Sequence, residues 1–91
     1  MTTYSIFSLY DKTADTYMKP FYEATYESAI RALTEALEDT TTAMYKHAAE
    51  LELTHLGFWH EDEGRISLAS PINEHESFFI SKLIPAPSIV D

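Results

Sequence analysis

The chain has 91 residues, six Lys plus Arg against fifteen Asp plus Glu for a formal charge of −9, no cysteine, and 45% hydrophobic residues. That composition describes one small folded domain and excludes disulfide frameworks, thiol nucleophiles and thiolate metal centres. At this size folding hides only about 60–65% of the unfolded surface, so one core serves the whole domain unless a second copy adds to it.

The first seven residues have neither a basic head nor a signal-length apolar run, and nowhere do eighteen apolar residues stand together. The sequence therefore predicts neither export by that route nor a membrane span, with the cytoplasm as default location. Residues 3–10 alternate, with Ile6 and Tyr10 on one side and Phe7 and Leu9 on the other. Apolar groups on both sides suit a central strand. Residues 11–15 read as a turn, and residues 17–22 as a second, less regular strand in which Pro20, lacking an amide hydrogen, favours a sheet edge.

From Thr25 the period becomes helical. Tyr26, Ile30, Leu33 and Leu37 share a stripe that Ala29 and Ala36 widen, and Thr25 is the N-cap. Glu27, Arg31 and Glu35 form a charge ladder on the opposite side, which gives Arg31 a structural reason to be there. Glu38 and Asp39 oppose the helix dipole and three threonines follow, so the helix is expected to stop near 39, with a short helical turn over 43–48. Leu51 to Trp59 is the next strand. Its apolar residues change parity between Leu51, Leu53 and Leu56, Phe58, which a bulge near Thr54 or His55 would reconcile. Residues 60–65 form a hairpin with Gly64 at positive φ, returning into a strand over 65–68 that Pro71 ends. Asn73 and Glu76 resemble a capping box ahead of a short C-terminal helix through Ile84.

These elements predict an α+β domain over residues 1–84: a small antiparallel sheet of about four strands, one main amphipathic helix and a short C-terminal helix, with residues 85–91 an extended tail. One main helix covers one side of a sheet, so a homodimer is expected to cover the other.

The four histidines, at 47, 55, 60 and 75, match no ligand spacing, and His55 fits as the residue displaced by the bulge; no metal site and no cofactor are expected. There is no nucleophile elbow or glycine-rich phosphate cradle. The carboxylate pairs Glu61/Glu63 and Glu74/Glu76 lie where nothing apolar would raise a pKa, so the sequence predicts no enzyme. Residues 1–22 carry two basic and two acidic groups, whereas the rest carries four and thirteen. Lys12, Tyr17, Lys19 and Tyr22, with Phe21, thus interleave cations and rings without an acidic majority, as single-stranded nucleic acid requires. The alternative makes these rings core residues and the lysines guards of a sheet edge, and on composition alone it carries more weight. A second kind of site is an acidic contact for a basic partner, formed by Glu27, Glu35 and Glu38 on the helix or by Glu61, Asp62 and Glu63 at the hairpin.

The ordered set Tyr4-Ser5-Ile6, Tyr10-Asp11-Lys12, Tyr17, Pro20-Phe21, Ala29-Ile30-Arg31-Ala32, Leu51-Glu52-Leu53, Leu56-Gly57 and Gly64-Arg65-Ile66 resembles the small nonstructural protein of gokushovirus-type microviruses. These are bacteriophages with single-stranded circular DNA. The resemblance covers about residues 4–70 and leaves 72–91 unmatched. It implies a non-enzymatic viral protein in the host bacterial cytoplasm that acts in DNA replication, by single-stranded DNA binding or by switching synthesis from the double-stranded replicative form to single-stranded genomes. The alternative is an acidic protein-interaction module that regulates the viral initiator or a host replication factor without contacting DNA. The family supplies no catalytic residues to carry across.

Overall fold

The computed structural model describes residues 3–69 and 77–84. Nine residues, Thr3–Asp11, form β1; β2 (Thr16–Tyr17) and β3 (Phe21–Glu23) follow, then helix α1 (Tyr26–Ala36) and helix α2 (Ala43–Lys46). After a 3-10 turn at Ala48–Glu50 come β4 (Leu51–His60), β5 (Arg65–Leu68), β6 (Phe78–Phe79) and a 3-10 turn at Ile80–Leu83. The expected α+β class with an antiparallel sheet is what forms.

The sheet order is β2-β1-β4-β5, with β3 also on β1 and β6 also on β4. Since β1 and β4 pair along their whole lengths, β3 shares the outer side of β1 with β2, and β6 shares the outer side of β4 with β5. The six strands therefore lie along four lines. β2 and β3 are one edge strand with a one-residue slip: Tyr10 faces Tyr17, but Phe7 faces Phe21. Pro20 sits in that slip, where its missing amide hydrogen costs no ladder bond. Met18 N–H still donates to the Leu9 carbonyl at 2.8 Å.

The parity change in β4 is reconciled by a bulge, one residue beyond where the sequence suggested it. Ile6 faces Gly57 while Phe7 faces His55, so Leu56 is the extra residue. His55 is accordingly not the displaced, solvent-facing histidine expected: it is buried, its ring 5.0 Å from Phe7 and 4.8 Å from Phe58.

Directly opposed residues project to the same side of a sheet, so the register sorts every strand residue onto one of two faces. One face carries Phe7, Leu9, Phe21, Leu51, Leu53, His55 and Phe78. The buried residues Ala29, Leu33 and Leu37 at the helix pack on it together with Ala48 and Ile80, forming the core. Thr25 caps α1 as expected, its hydroxyl accepting from Ser28 N–H at 3.0 Å. The helix ends at Ala36, short of 39, and Ala36 is exposed rather than part of the stripe. Leu37 then closes α1, with Glu38 and Asp39 N–H donating to the Glu35 and Ala36 carbonyls, a tightened last turn where the two acids oppose the dipole.

The C-terminal segment is a second correction. Phe78 and Phe79 pair with Leu53 and Glu52 as strand, and only Ile80–Leu83 turns helically, as 3-10. The pairing puts Phe78 on the core side and Phe79 on the other. The capping residues Asn73 and Glu76 and the tail over 85–91 lie outside the described residues. Among the described residues, no helix is long and apolar enough to cross a membrane.

Candidate nucleic-acid and partner interface

The second face of the sheet carries Tyr4, Ile6, Ser8, Tyr10, Tyr17, Tyr22, Glu52, Thr54, Gly57, Trp59, Ile66, Leu68 and Phe79. Neither helix packs there. At its centre Ile6 and Ser8 are buried, and Ser8 donates to the Met18 carbonyl at 2.7 Å. Around them Tyr17, Tyr22, Ile66 and Leu68 are 56%, 53%, 58% and 85% exposed. An apolar patch that the fold leaves open marks an interaction surface more often than it marks inert surface.

This face has two dissimilar ends. At one end, the Tyr10 and Tyr17 rings meet at a tilt of 49° with centroids 4.9 Å apart, and the Lys12 ammonium lies 5.8 Å from the centre of the Phe79 ring. The β1–β2 turn is built by Asp11, whose carboxylate accepts from Thr13 and Ala14 N–H at 3.0 and 3.1 Å. Asp15 takes a positive φ of 55° there, a conformation that Asp tolerates better than most residues. The Tyr10 hydroxyl donates to the Asp15 carboxylate, and that bond holds the phenol above its ordinary pKa.

At the other end, Tyr4 faces Trp59 and Trp59 faces Ile66 across three strands. With Tyr22 they line a cleft of about 390 Å³. Gly57 lies in the adjoining row, between Ile6 and Leu68. A Cβ on Gly57 would stand 2.2 Å from the Ser67 carbonyl oxygen, so only glycine lets β5 close on β4 beside the cleft. The β4–β5 hairpin follows, with Gly64 at φ 63° as the sequence predicted. Glu61, Asp62 and Glu63 are exposed there, and Arg65 Nε donates to Glu63 at 2.6 Å.

The sequence-derived nucleic-acid set is thus divided. Lys12, Tyr17 and Tyr22 share the open face, the lysine and Tyr17 at one end and Tyr22 at the other. Lys19 does not join them: it lines a hollow with Leu9, Phe21, Ala32 and Leu33, at the edge beside α1. The slip at Pro20 sends it there. The acidic set divides as well, with Glu27, Glu35 and Glu38 exposed along α1 and its C-terminal turn on the covered side, and Glu61, Asp62 and Glu63 at the hairpin beside the cleft. Sequence reasoning missed Tyr4, Tyr10, Trp59 and Ile66 as site residues. The alternation of Tyr4, Ile6 and Tyr10 was a usable signal for the first two; Trp59 and Ile66 required the pairing of β4 with β1 and of β5 with β4.

The histidines gather no ligands. His47 pairs with Glu50 at 3.5 Å and His60 bonds Ser67 at 2.8 Å. Among the described residues no group of three His, Cys, Asp or Glu stands close enough to hold a metal; His75 lies outside them.

A family model described as Phage ORF5 protein matches residues 4–76, slightly further than the ordered motifs reach. No curated protein and no solved structure matches the chain.

Proposed function

The chain belongs to the Phage ORF5 protein family, and on that premise we propose that it is a non-enzymatic phage protein acting in viral DNA replication, in the cytoplasm of the infected bacterium. Its working surface is the open face of the sheet. The observation that carries this reading is the set of ring-bearing side chains on that face, with Lys12 at one end, on a rigid four-line sheet. Aromatic rings on such a platform stack unpaired bases, and a cation beside them meets the backbone. In a chain of charge −9 the phosphates must be admitted locally, at the Lys12 end.

The microvirus affinity of the ordered motifs agrees with this role, since replication of a single-stranded genome exposes long unpaired stretches. Fluorescence anisotropy of labelled single-stranded and duplex oligonucleotides across salt tests it. Binding is expected to prefer single strands, with log affinity falling against log salt at about −0.7 per neutralised phosphate. Lys12→Glu is expected to abolish the signal and Lys19→Glu to leave it unchanged, because only the first lysine shares the open face. No binding at low salt would reject direct DNA contact.

A second reading has an observation of its own. The acidic hairpin adjoins the aromatic cleft at the end remote from Lys12, which suits a basic protein partner such as a viral initiator or host replication factor. A homodimer remains part of the proposal, supported by Leu68, exposed on the edge strand β5 outside the cleft. Light scattering on the pure protein is expected to give twice the chain mass of 10.4 kDa.

A further inference from the structure

The open face joins two electrostatic environments that are too far apart to share one ligand group. Tyr4 and Lys12 are eight residues apart on one extended stretch, roughly 26 Å at the usual strand rise. That is more than twice the distance over which salt screens exposed charges, about 8–10 Å. The field at the Tyr4 end is therefore set by its own neighbours.

Those neighbours are acidic. Trp59 is two residues from Glu61, at most roughly 7 Å of chain, and Asp62 and Glu63 follow it in the turn after β4. The nearby cation Arg65 already bonds Glu63 at 2.6 Å. Phosphates entering this end would meet carboxylates within one screening length, whereas a cation would be attracted from solution. The cleft itself offers Tyr4, Tyr22 and Trp59 with Ile66 as an apolar wall. A guanidinium suits such walls: it is planar, weakly hydrated and stacks on ring faces, while its charge interacts with the ring quadrupole. An ammonium is compact and strongly hydrated, and loses more on entering.

We infer that the cleft between Tyr4, Tyr22, Trp59 and Ile66, together with the Glu61 to Glu63 hairpin, docks an arginine-bearing basic segment of a partner protein. One arginine enters the cleft and stacks on Trp59. Flanking basic residues of the segment lie along the hairpin carboxylates. This deepens the second reading above and does not depend on DNA contact at the Lys12 end.

The chain holds a single tryptophan, Trp59, so its own fluorescence reports occupancy of the cleft. The full chain is titrated with hexa-arginine, with hexalysine and with a short oligothymidylate, following Trp59 emission. Hexa-arginine is expected to change the emission saturably, at lower concentration than hexalysine. Tyr22→Ala is expected to weaken the hexa-arginine response about five- to ten-fold, in line with the loss of one ring face from a cation. Glu61→Gln/Glu63→Gln should weaken it and flatten its salt dependence. Lys12→Glu should leave it intact while removing oligonucleotide anisotropy, so failure of the DNA reading is separately visible. Far-UV circular dichroism checks that each variant is folded, and Trp59→Phe, read by anisotropy of a labelled hexa-arginine, keeps an aromatic wall of smaller face and is expected to weaken binding less than Tyr22→Ala. Any of three results would overturn the proposal: no emission change at millimolar hexa-arginine, saturation by oligothymidylate at lower concentration than by the peptide, or an emission that shifts with protein concentration and is insensitive to peptide. The second would make the cleft a nucleobase site, and the third would assign it to a second copy of the chain.

Discussion

The two faces of the sheet are made from alternate residues of the same strands, yet one is sealed under helix α1 and the other is left open by the described residues. Their composition differs in kind. Phe7, Leu9, Leu51 and Leu53 supply the sealed side with rings and branches that have no polar atom to satisfy. Tyr4, Tyr10, Tyr17, Tyr22 and Trp59 supply the open side with rings that end in a hydroxyl or an indole N–H. Such amphipathic rings accept partial exposure because the polar tip stays hydrated while the ring body covers its neighbours. That is how Ile6 and Ser8 stay buried on a face that neither α1 nor α2 covers. Exposure on this face thus follows residue type at the five rings, whereas Ile66 and Leu68, without a polar tip, are the apolar surface it leaves uncovered among the described residues.

The largest test of that contrast compares one truncation on each face. Phe7 is fully buried, with Phe21 5.8 Å away and His55 5.0 Å away between ring centres. Phe7→Ala is expected to cost about 3–5 kcal/mol in urea unfolding. Tyr4→Ala, on the same strand but facing outward, is expected to cost about 1 kcal/mol. Equal losses would mean that the outward rings form a second core and would undermine every functional use of that face.

The next effect sharpens the boundary between the two ends of the open face. Gly57→Ala brings a methyl group against the Ser67 carbonyl, and the backbone of β5 must move to receive it. A loss of about 1–3 kcal/mol is expected. Hydrogen exchange should show β5 amides losing protection while β1 amides keep theirs. The cleft shares that disturbance through Ile66, so the hexa-arginine response should weaken as well, with oligonucleotide binding at the Lys12 end retained. Gly64→Ala, at the hairpin tip, has free space around it and pays only for its positive φ, about 1–2 kcal/mol.

How far the sequence carried can be judged from these same residues. The strand β1, the capped helix, the hairpin with Gly64 and the edge position of Pro20 were all readable, because each rests on local chemistry: alternation, a hydroxyl cap, a φ preference, a missing N–H. That both faces of β1 would be apolar was readable too. The division of the lysines was not, since the side that Lys19 takes depends on the one-residue slip between Tyr17 and Phe21, and slips arise from pairing between distant residues. The burial of His55 depended on Leu56 being the bulged residue: placing the bulge one residue earlier leaves His55 outside and Leu56 inside, while Trp59 stays opposite Tyr4 in either case. Phe78 and Phe79 were misassigned because an apolar run of that length fits helix and strand equally, and only the exposed flank of β4 decides between them.

The smallest predicted effect isolates the Lys12 end of the open face. The Tyr10 phenol donates to Asp15, and this bond, with burial and the Asp15 charge adding to it, raises the phenol above 10.0. A raised acid pKa means that folding favours the protonated phenol. Its contribution is fully present below the unfolded value and is lost as pH rises through the higher folded value. Tyr10 is exposed enough that the stability involved is small, so the readout is the titration itself. An NMR titration of the Tyr10 ring is expected to show ionisation at higher pH in the native chain than in Asp15→Asn. Asparagine tolerates the positive φ at that position, so the turn and the Tyr10–Tyr17 ring contact survive the change. If single-stranded DNA lies on these rings, Asp15→Asn also removes a carboxylate from its path and should tighten oligonucleotide binding. The same variant should leave the Trp59 response to hexa-arginine where it was. A shift in both together would mean that the two ends of the face do not act independently.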